Sequence, residues 1–406
     1  MAHILYLHQY FRTPAMGWSQ RSWHIAKHWA AQGHKVSVVS ARNGNALAYE
    51  TIEGIEIIWL PIAYSNKMSK WRRMLAFIKF VAYGIHYAAA VHKREKADFA
   101  YVTSTPLTIG LVALWMKARQ KVPFIFEVRD LWPDAPVQMG AVKGRLYKNM
   151  LYWLEAKLYT SAQAIVALSP AMASNIAAKA EGKEILMLPN FADVETFRVL
   201  RRRENPTDKV HIVYTGTFGL ANDIEGMLLF FKYLQMRSKY SVIFTLVGEG
   251  AFFEKAEGLI YSLQIANITI RKQAPTAAIA QLLGTAHWAY VGFGPEPILE
   301  TNSPNKLFDA LAAGVPILLN MKGWLREAIQ EGGAGMIVLK PMMDADTFAN
   351  DFDIANQAWV SYSLGASQLA MDKFELKKGL QTLDQFVFAS LGLETAVAER
   401  REPSLA

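Results

Sequence analysis

The stretch Ser303-Pro-Asn-Lys-Leu-Phe-Asp309-Ala-Leu-Ala-Ala-Gly314-Val-Pro316 spells out a short helix with both ends marked. Ser303 is a favoured N-cap type, and Pro304 suits the first helical position, with Asn305 behind it. Gly314 followed by Pro316 makes a stop. A strand pattern at 288–293 and a polar loop at 294–302 precede the helix, and an apolar run at 317–320 follows it. Strand, helix and strand in that order form one step of a parallel sheet. The helix N-terminus then faces a loop at the carboxyl end of a strand, where free N–H groups and the positive dipole end make an anion site. Lys306 adds a full positive charge in the first turn. Asp309 lies six residues past Ser303, about 9 Å along the axis at about 1.5 Å per residue. A diphosphate and the ribose of the same nucleotide are separated by a similar distance.

The same alternation extends outward. A first unit reads strand 3–8, loop 9–20, helix 21–32, Gly33 as C-cap, and strand 35–40. Further strands are expected at 55–60, 99–103, 124–128, 164–168 and 185–188. Residues 189–193 then lead into Arg201-Arg-Arg-Glu-Asn-Pro206, a polar linker. The pattern restarts with a strand at 211–214 ending in Thr215-Gly-Thr-Phe-Gly219, a helix at 224–237, and a strand at 242–247 ending in Gly248-Glu-Gly250. Each half opens with strand, glycine-containing loop and helix. The expected fold is α/β, with two Rossmann-like domains facing across a central cleft, since ligands bind at the carboxyl ends of parallel strands. Expected bounds are 1–192 for the first domain, 193–209 for the linker and 210–371 for the second. Helical residues 372–406 are expected to return to the first domain. Gly17, Gly216 and Gly219, each between a strand and its helix, are expected to line the cleft with Ser19 and Gln20.

At 406 residues, 52% hydrophobic and 19% charged, the chain has an ordinary soluble α/β composition. No run of 18 uncharged apolar residues occurs, so no membrane span is expected. The start, Met1-Ala-His-Ile-Leu, enters a strand directly, which gives a cytoplasmic protein as the default. Without cysteine there is neither disulfide nor thiolate metal site, and the nine histidines lack metal-ligand spacing, so no metal is expected. The net charge of +8 is uneven: residues 1–190 hold 23 basic and 11 acidic side chains, residues 191–406 hold 20 and 24. Residues 66–96 alone carry eight basic residues and one acid. Here Lys67, Lys70, Trp71, Arg72 and Arg73 enter a run in which Met74, Ile78, Val81 and Ile85 recur at helical spacing. Such a segment is either a core helix with a solvated basic entrance or a helix at the interface of an anionic membrane. Trp23, His24 and Trp29 are read as packing. Arg201, Arg202 and Arg203 come with no recognition motif, so no nucleic acid is expected.

The chain resembles the retaining glycosyltransferases of family 4, which have the two-domain GT-B fold. It is most similar to the WbuB-type subgroup of bacterial surface-polysaccharide clusters. The resemblance rests on residues 31–40, Glu127-Val-Arg-Asp-Leu-Trp-Pro133, Leu188-Pro-Asn-Phe-Ala-Asp193, Tyr214-Thr-Gly-Thr-Phe-Gly219, Leu246-Val-Gly-Glu-Gly250, and the 303–316 helix. It implies transfer of a sugar from a nucleoside diphosphate donor, a UDP-sugar by the subgroup, with retention and without metal or cofactor. The acceptor it implies is a lipid-linked glycan for O-antigen or capsule, handled by a peripheral enzyme on the cytoplasmic face. Without metal, the leaving diphosphate is stabilised by amides, a helix dipole and basic side chains. Ser303, Pro304, Asn305 and Lys306 are the candidates. Asp309 then takes the position of the second acid of the family's pair, on the ribose. The oligomeric state is left open.

Three departures from the family pattern stand out. The family spaces its acids eight apart, and eight before Asp309 is Thr301; Glu300, at nine, takes the first acid's role only if the loop bulges by one residue. In place of His-Asp the chain has Arg129-Asp130, and a guanidinium acts only electrostatically. The usual Arg/Lys pair after the second domain's first strand is missing, with Asn222 and Arg271 as substitutes. Two alternatives remain open: a sugar-nucleotide 2-epimerase of the same fold, and a non-catalytic nucleotide-sugar-binding subunit.

Overall fold

The computed structural model describes residues 1–17, 20–65, 68–197, 204–338 and 345–393. Ser19, Lys67, Arg201, Arg202, Arg203 and residues 394–406 of the expected C-terminal helix lie outside the described residues. The chain divides into two compact units. Unit 1 comprises Met1–Phe11, Arg21–Leu188 and the chain from Lys377; unit 2 comprises Arg12–Gln20 and Pro189–Leu376.

Unit 1 is built on eight strands: β1 (His3–Leu7), β2 (Lys35–Arg42), β3 (Ala48–Ile52), β4 (Ile55–Pro61), β5 (Phe99–Thr103), β6 (Phe124–Val128), β7 (Ile165–Ala167) and β8 (Ile185–Met187). Their order is β3-β4-β2-β1-β5-β6-β7-β8. All pair in parallel except β3, which is antiparallel to β4. Strands β1, β5 and β6 are buried along their whole length, which is why they read as unbroken apolar runs. Sequence reading misses β3, because Ala-Tyr-Glu-Thr-Ile has no fully buried position and so no core-facing pattern. Its pairing is set by a two-residue turn in which Glu53 and Gly54 both take positive φ, 48° and 80°, matching the twist of a tight hairpin.

The helices of unit 1 are α1 (Arg21–Ala31), α2 (Lys70–Arg94), α3 (Gly110–Trp115), α4 (Asp134–Gln138), α5 (Arg145–Ser161) and α6 (Pro170–Lys179). The step from β1 to β2 runs one way along the sheet, and the steps from β4 to β5 to β6 to β7 run the other. Right-handed crossovers therefore put α2, α3 and α5 side by side on one face and α1 on the other.

Helix α2 turns out differently from the expected pattern. Its buried stripe is Ala76, Phe80, Gly84, Ala88 and Val91, whereas Met74 and Ile78 of the anticipated apolar stripe are exposed. Small residues let the helix sit close: a Cβ on Gly84 would lie 3.0 Å from Val112 Cγ2 of α3. From Trp71 to Arg94 it is also long and apolar enough to cross a membrane by length and composition. A search for wholly uncharged runs overlooks this because Lys79 interrupts it.

Unit 2 holds β9 (Lys209–Thr215), β10 (Ser241–Val247), β11 (Ile268–Arg271), β12 (Trp288–Val291), β13 (Ile317–Leu319) and β14 (Gly335–Ile337). They form a parallel sheet in the order β11-β10-β9-β12-β13-β14. Its helices are α7 (Ile224–Arg237), α8 (Phe253–Ser262), α9 (Thr276–Thr285), α10 (Asn305–Ala312), α11 (Trp324–Glu331), α12 (Ala345–Gln357) and α13 (Trp359–Lys373). The strand order reverses between β9 and β12, so the loops after these two strands diverge at the switch point where such sheets bind ligands.

A last helix, α14 (Leu376–Ser390), packs on unit 1. Its buried Asp384 accepts hydrogen bonds from Trp29 Nε1 at 2.7 Å and Gln32 Nε2 at 2.7 Å, and lies 2.6 Å from His28 Nε2. Phe388 stacks on His34 beside them. Trp23 and Trp29 are core residues, as read.

Candidate functional site

Helix α10 leaves β12 through a 3-10 turn, Pro297–Thr301, and points its first turn at the end of β9. Lys306 Nζ donates to Asn222 Oδ1 at 3.1 Å and lies 4.2 Å above the Tyr214 ring centroid and 5.6 Å from that of Phe293. Asn222 ends the 3-10 turn Leu220–Asn222, which Gly219 opens. Gly216 makes the space: with φ at +143°, it would carry a Cβ only 2.9 Å from Lys306 Cε. All partners of the ammonium are neutral, and among the described residues no carboxylate pairs with it. Burial pulls its pKa down to about 7, since removing an unpaired charge from water is costly. An anion at this place would supply the missing counter-charge.

The two glycine loops behind Lys306 hold each other by backbone. Gly216 N–H donates to Val247 O, Phe218 N–H to Glu249 O, and Phe252 N–H to Phe218 O, each at 2.9 Å. A Cβ on Gly248 would run into Gly216 O, and one on Gly250 into Phe218 O. Glycines at 248 and 250 are thus required by close backbone approach, which no local sequence pattern announces.

Ser303 corrects an expectation. It does not cap α10: Pro304 occupies the cap position and no side chain caps the helix. Ser303 is buried, its Oγ accepts the Asn190 N–H at 3.1 Å, and its carbonyl accepts Asn190 Nδ2. The loop at 189–193 is thereby fastened to the start of α10. One and a half turns on, Asp309 is partly buried; burial first, and the Asp193 carboxylate second, push its pKa up to about 8. Gly314 ends the helix with φ +70°, as the stop signal predicts. Glu300 lies in the 3-10 turn, its backbone packed toward Gly323. Glu296, four residues earlier, buries an Oε2 that has no hydrogen-bond partner among the described residues. Arg271 is exposed at the end of β11. Beyond it, Gly17 approaches so closely that a Cβ would lie 2.8 Å from Ala274 O.

In unit 1 the strand order reverses between β1 and β5, and polar groups gather at and just below those strand ends. Arg129 donates its N–H to Ser104 Oγ at 3.1 Å. Asp130 has its pKa raised by burial, with Arg129 opposing. Beneath them Glu127, fully buried, accepts from Arg21 Nε at 2.8 Å, Tyr101 OH at 2.8 Å and Thr103 Oγ1 at 3.3 Å. A glutamate inside the apolar run Phe124-Ile-Phe-Glu-Val128 is the sequence signal for this network. Gln9, after β1, is wholly buried, and neither side-chain amide atom has a hydrogen-bond partner among the described residues.

Residues 16–190 match the model of the glycosyl transferase 4-like domain, and residues 197–356 that of glycosyl transferases group 1. The chain is a glycosyltransferase of the GT-B fold. Sucrose-phosphate synthase from Thermosynechococcus elongatus superposes with a TM-score of 0.74 at 16% identity, over 97% of this chain and 100% of that one. HepE from Anabaena, in complex with UDP-glucose, gives 0.66 at 14% identity over 96% and 100%. WaaG, a glycosyltransferase involved in lipopolysaccharide biosynthesis, gives 0.66 at 15% identity over 94% and 99%. No curated protein matches the chain in sequence.

In this glycosyltransferase, then, Lys306, Asn222 and Gly216 form one cluster at the switch point of unit 2. Gly219 O accepts the Asn222 N–H at 3.1 Å. Ser303, Pro304, Asn305 and Asp309 lie along α10 beside Asn190 and Asp193. In sequence Asn222 stands where basic residues are missing; in the structure its Oδ1 accepts from Lys306 Nζ. Arg129 and Asp130 belong to unit 1.

Proposed function

We propose that this glycosyltransferase takes a sugar from a nucleoside diphosphate donor, a UDP-sugar foremost, and adds it with retention to a lipid-linked oligosaccharide of a bacterial surface polysaccharide. The observation that carries the donor reading is the ammonium of Lys306 at the β9/β12 switch point, which has only neutral partners among the described residues, with the Asp309 carboxyl three residues, less than one turn, further along α10. A diphosphate fits the first, and ribose hydroxyls fit the second. HepE binds UDP and UDP-glucose, which supports UDP here. WaaG acts in lipopolysaccharide biosynthesis, which supports a surface-glycan acceptor.

In the transfer, the bond between the anomeric carbon and the diphosphate oxygen breaks. The acceptor hydroxyl bonds to the same carbon from the same face, and its proton leaves with the diphosphate. Lys306 and the N-terminal dipole of α10 stabilise the charge that builds on the leaving oxygen, the role a metal would otherwise take. In unit 1, Arg129 acts electrostatically beside the Asp130 carboxyl; in unit 2, Glu300 stands near the donor sugar, and Gly17 and Arg271 border the donor nucleotide. The enzyme works on the cytoplasmic face of the membrane, held there through Trp71, Arg72 and Arg73 with Lys67 and Lys70. Trp71, 77% exposed, supports this.

The test is thermal denaturation with UDP, GDP and dTDP at equal concentration, since a ligand of the native state raises Tm by mass action. UDP is expected to raise Tm most. No shift from any of the three would sink the donor reading.

A further inference from the structure

Helix α5 has an outer face that the proposed function leaves unused. Its inner side, Leu151, Leu154, Leu158 and Tyr159, is buried in unit 1. Its outer side carries Leu146, Met150 and Trp153 at helical spacing, with Leu146 86% and Trp153 62% exposed. A helix that faces water normally puts polar residues there. The charges around this stripe have one sign. Lys143 precedes the helix, and Arg145, Lys148 and Lys157 lie on it. Its one acid, Glu155, is buried and paired with Lys179 at 2.8 Å, so it lends the outer face no negative charge.

Helix α2 repeats the composition. It contains no acid, and its N-terminal half exposes Trp71, Leu75 and Ile78 alongside Arg72 and Lys79. Both helices pack against the segment around α3: a Cβ on Gly84 would touch Val112 from one side, and one on Gly110 would run into Leu158 of α5 from the other. As crossover helices on one sheet face, both start at the carboxyl edge of the strands. Their apolar, basic N-terminal halves therefore stand at the same end of unit 1.

We propose that the N-terminal halves of α2 and α5 form one docking surface for an anionic lipid bilayer, with Leu146, Met150 and Trp153 entering the interface. This rests on the membrane reading above and adds a second helix to it. Apolar side chains ringed by cations suit the headgroup boundary, where each basic residue contributes about 1 kcal/mol. A second copy of the chain would bring like charge against like, which specific interfaces avoid.

The full chain is mixed with vesicles of phosphatidylcholine alone or with phosphatidylglycerol, and partitioning is measured by co-sedimentation. The variants are Met150→Glu/Trp153→Glu on α5 and Arg72→Gln/Arg73→Gln on α2. Leu146→Ser/Trp153→Ser serves as a milder α5 pair should the glutamates impair folding. The wild type is expected to partition to anionic vesicles, and the α5 pairs to do so about tenfold less or weaker, with the UDP-induced Tm shift unchanged. If the α5 pairs partition like wild type while the α2 pair is released, α5 is not part of the surface and the membrane reading survives without it. If the wild type itself stays in the supernatant, both fall. If light scattering finds a dimer that the α5 pairs dissociate, with vesicle binding unaltered, a second copy covers the face and the proposal is overturned.

Discussion

In the free protein burial lowers the pKa of Lys306 to about 7, and its neighbours, an amide oxygen and two rings, carry no counter-charge. Asp309 is displaced the other way, to about 8. Both groups are held in water-poor surroundings that suit a ligand better than the empty protein. For Asp309 the sign follows from linkage: between its ordinary pKa and about 8 the folded state keeps a proton that the unfolded state has lost, so stability falls as pH rises through that window. Asp309→Asn removes this penalty and is expected to stabilise the free protein by about 1–3 kcal/mol at pH 8, measured by urea denaturation, while weakening UDP binding. A destabilised Asn variant would mean the carboxylate is already satisfied by the protein. The side-chain types at 306 and 309 are legible in sequence. Their surroundings are not, because Asn222 lies 84 residues away and no local pattern announces that it grips Lys306.

The elements around the site depend on backbone contact more than on side chains. The loop after β9 and the loop after β10 touch so closely that Gly248→Ala would drive a methyl into Gly216 O. That contact is with backbone, which cannot rotate away, so the variant is expected to lose about 2–4 kcal/mol and to lose UDP affinity with it. Unchanged stability would show that the loops can part at little cost. Helix α10 is legible in sequence at its end, where Gly314 takes the positive φ of a stop, but not at its start. Ser303 has the chemistry of a cap, but its hydroxyl is taken by Asn190, a partner that only the tertiary fold supplies. Helix α2 shows the same limit. In sequence the periodic residues Met74 and Ile78 fit either a core stripe or a face turned to a membrane; in the structure both are exposed, and Ala76, Phe80, Gly84 and Ala88 form the buried stripe. Strand β3 escaped for want of a buried face.

On the scale of the whole molecule, the repeated strand–loop–helix opening of each half was enough to anticipate two Rossmann-like units, since alternation of apolar runs and amphipathic helices has few other solutions. Which loops meet is decided by strand order, and both sheets reverse beside their first strand, at β1/β5 and at β9/β12. Sequence periodicity does not encode that order; right-handed crossovers and burial select it. The chain also leaves and re-enters its units, with Arg12–Gln20 clustering with unit 2 and α14 with unit 1, and such returns carry no local signature. The donor reading is tested most directly by titration calorimetry of UDP into the full chain, wild type and Lys306→Ala, from pH 6 to pH 9. With diphosphate bound to the ammonium, wild-type affinity should fall as pH rises past about 7, and Lys306→Ala should bind about tenfold or more weakly with that pH dependence gone. Equal affinity and an equal pH profile in the two proteins would contradict a diphosphate at Lys306.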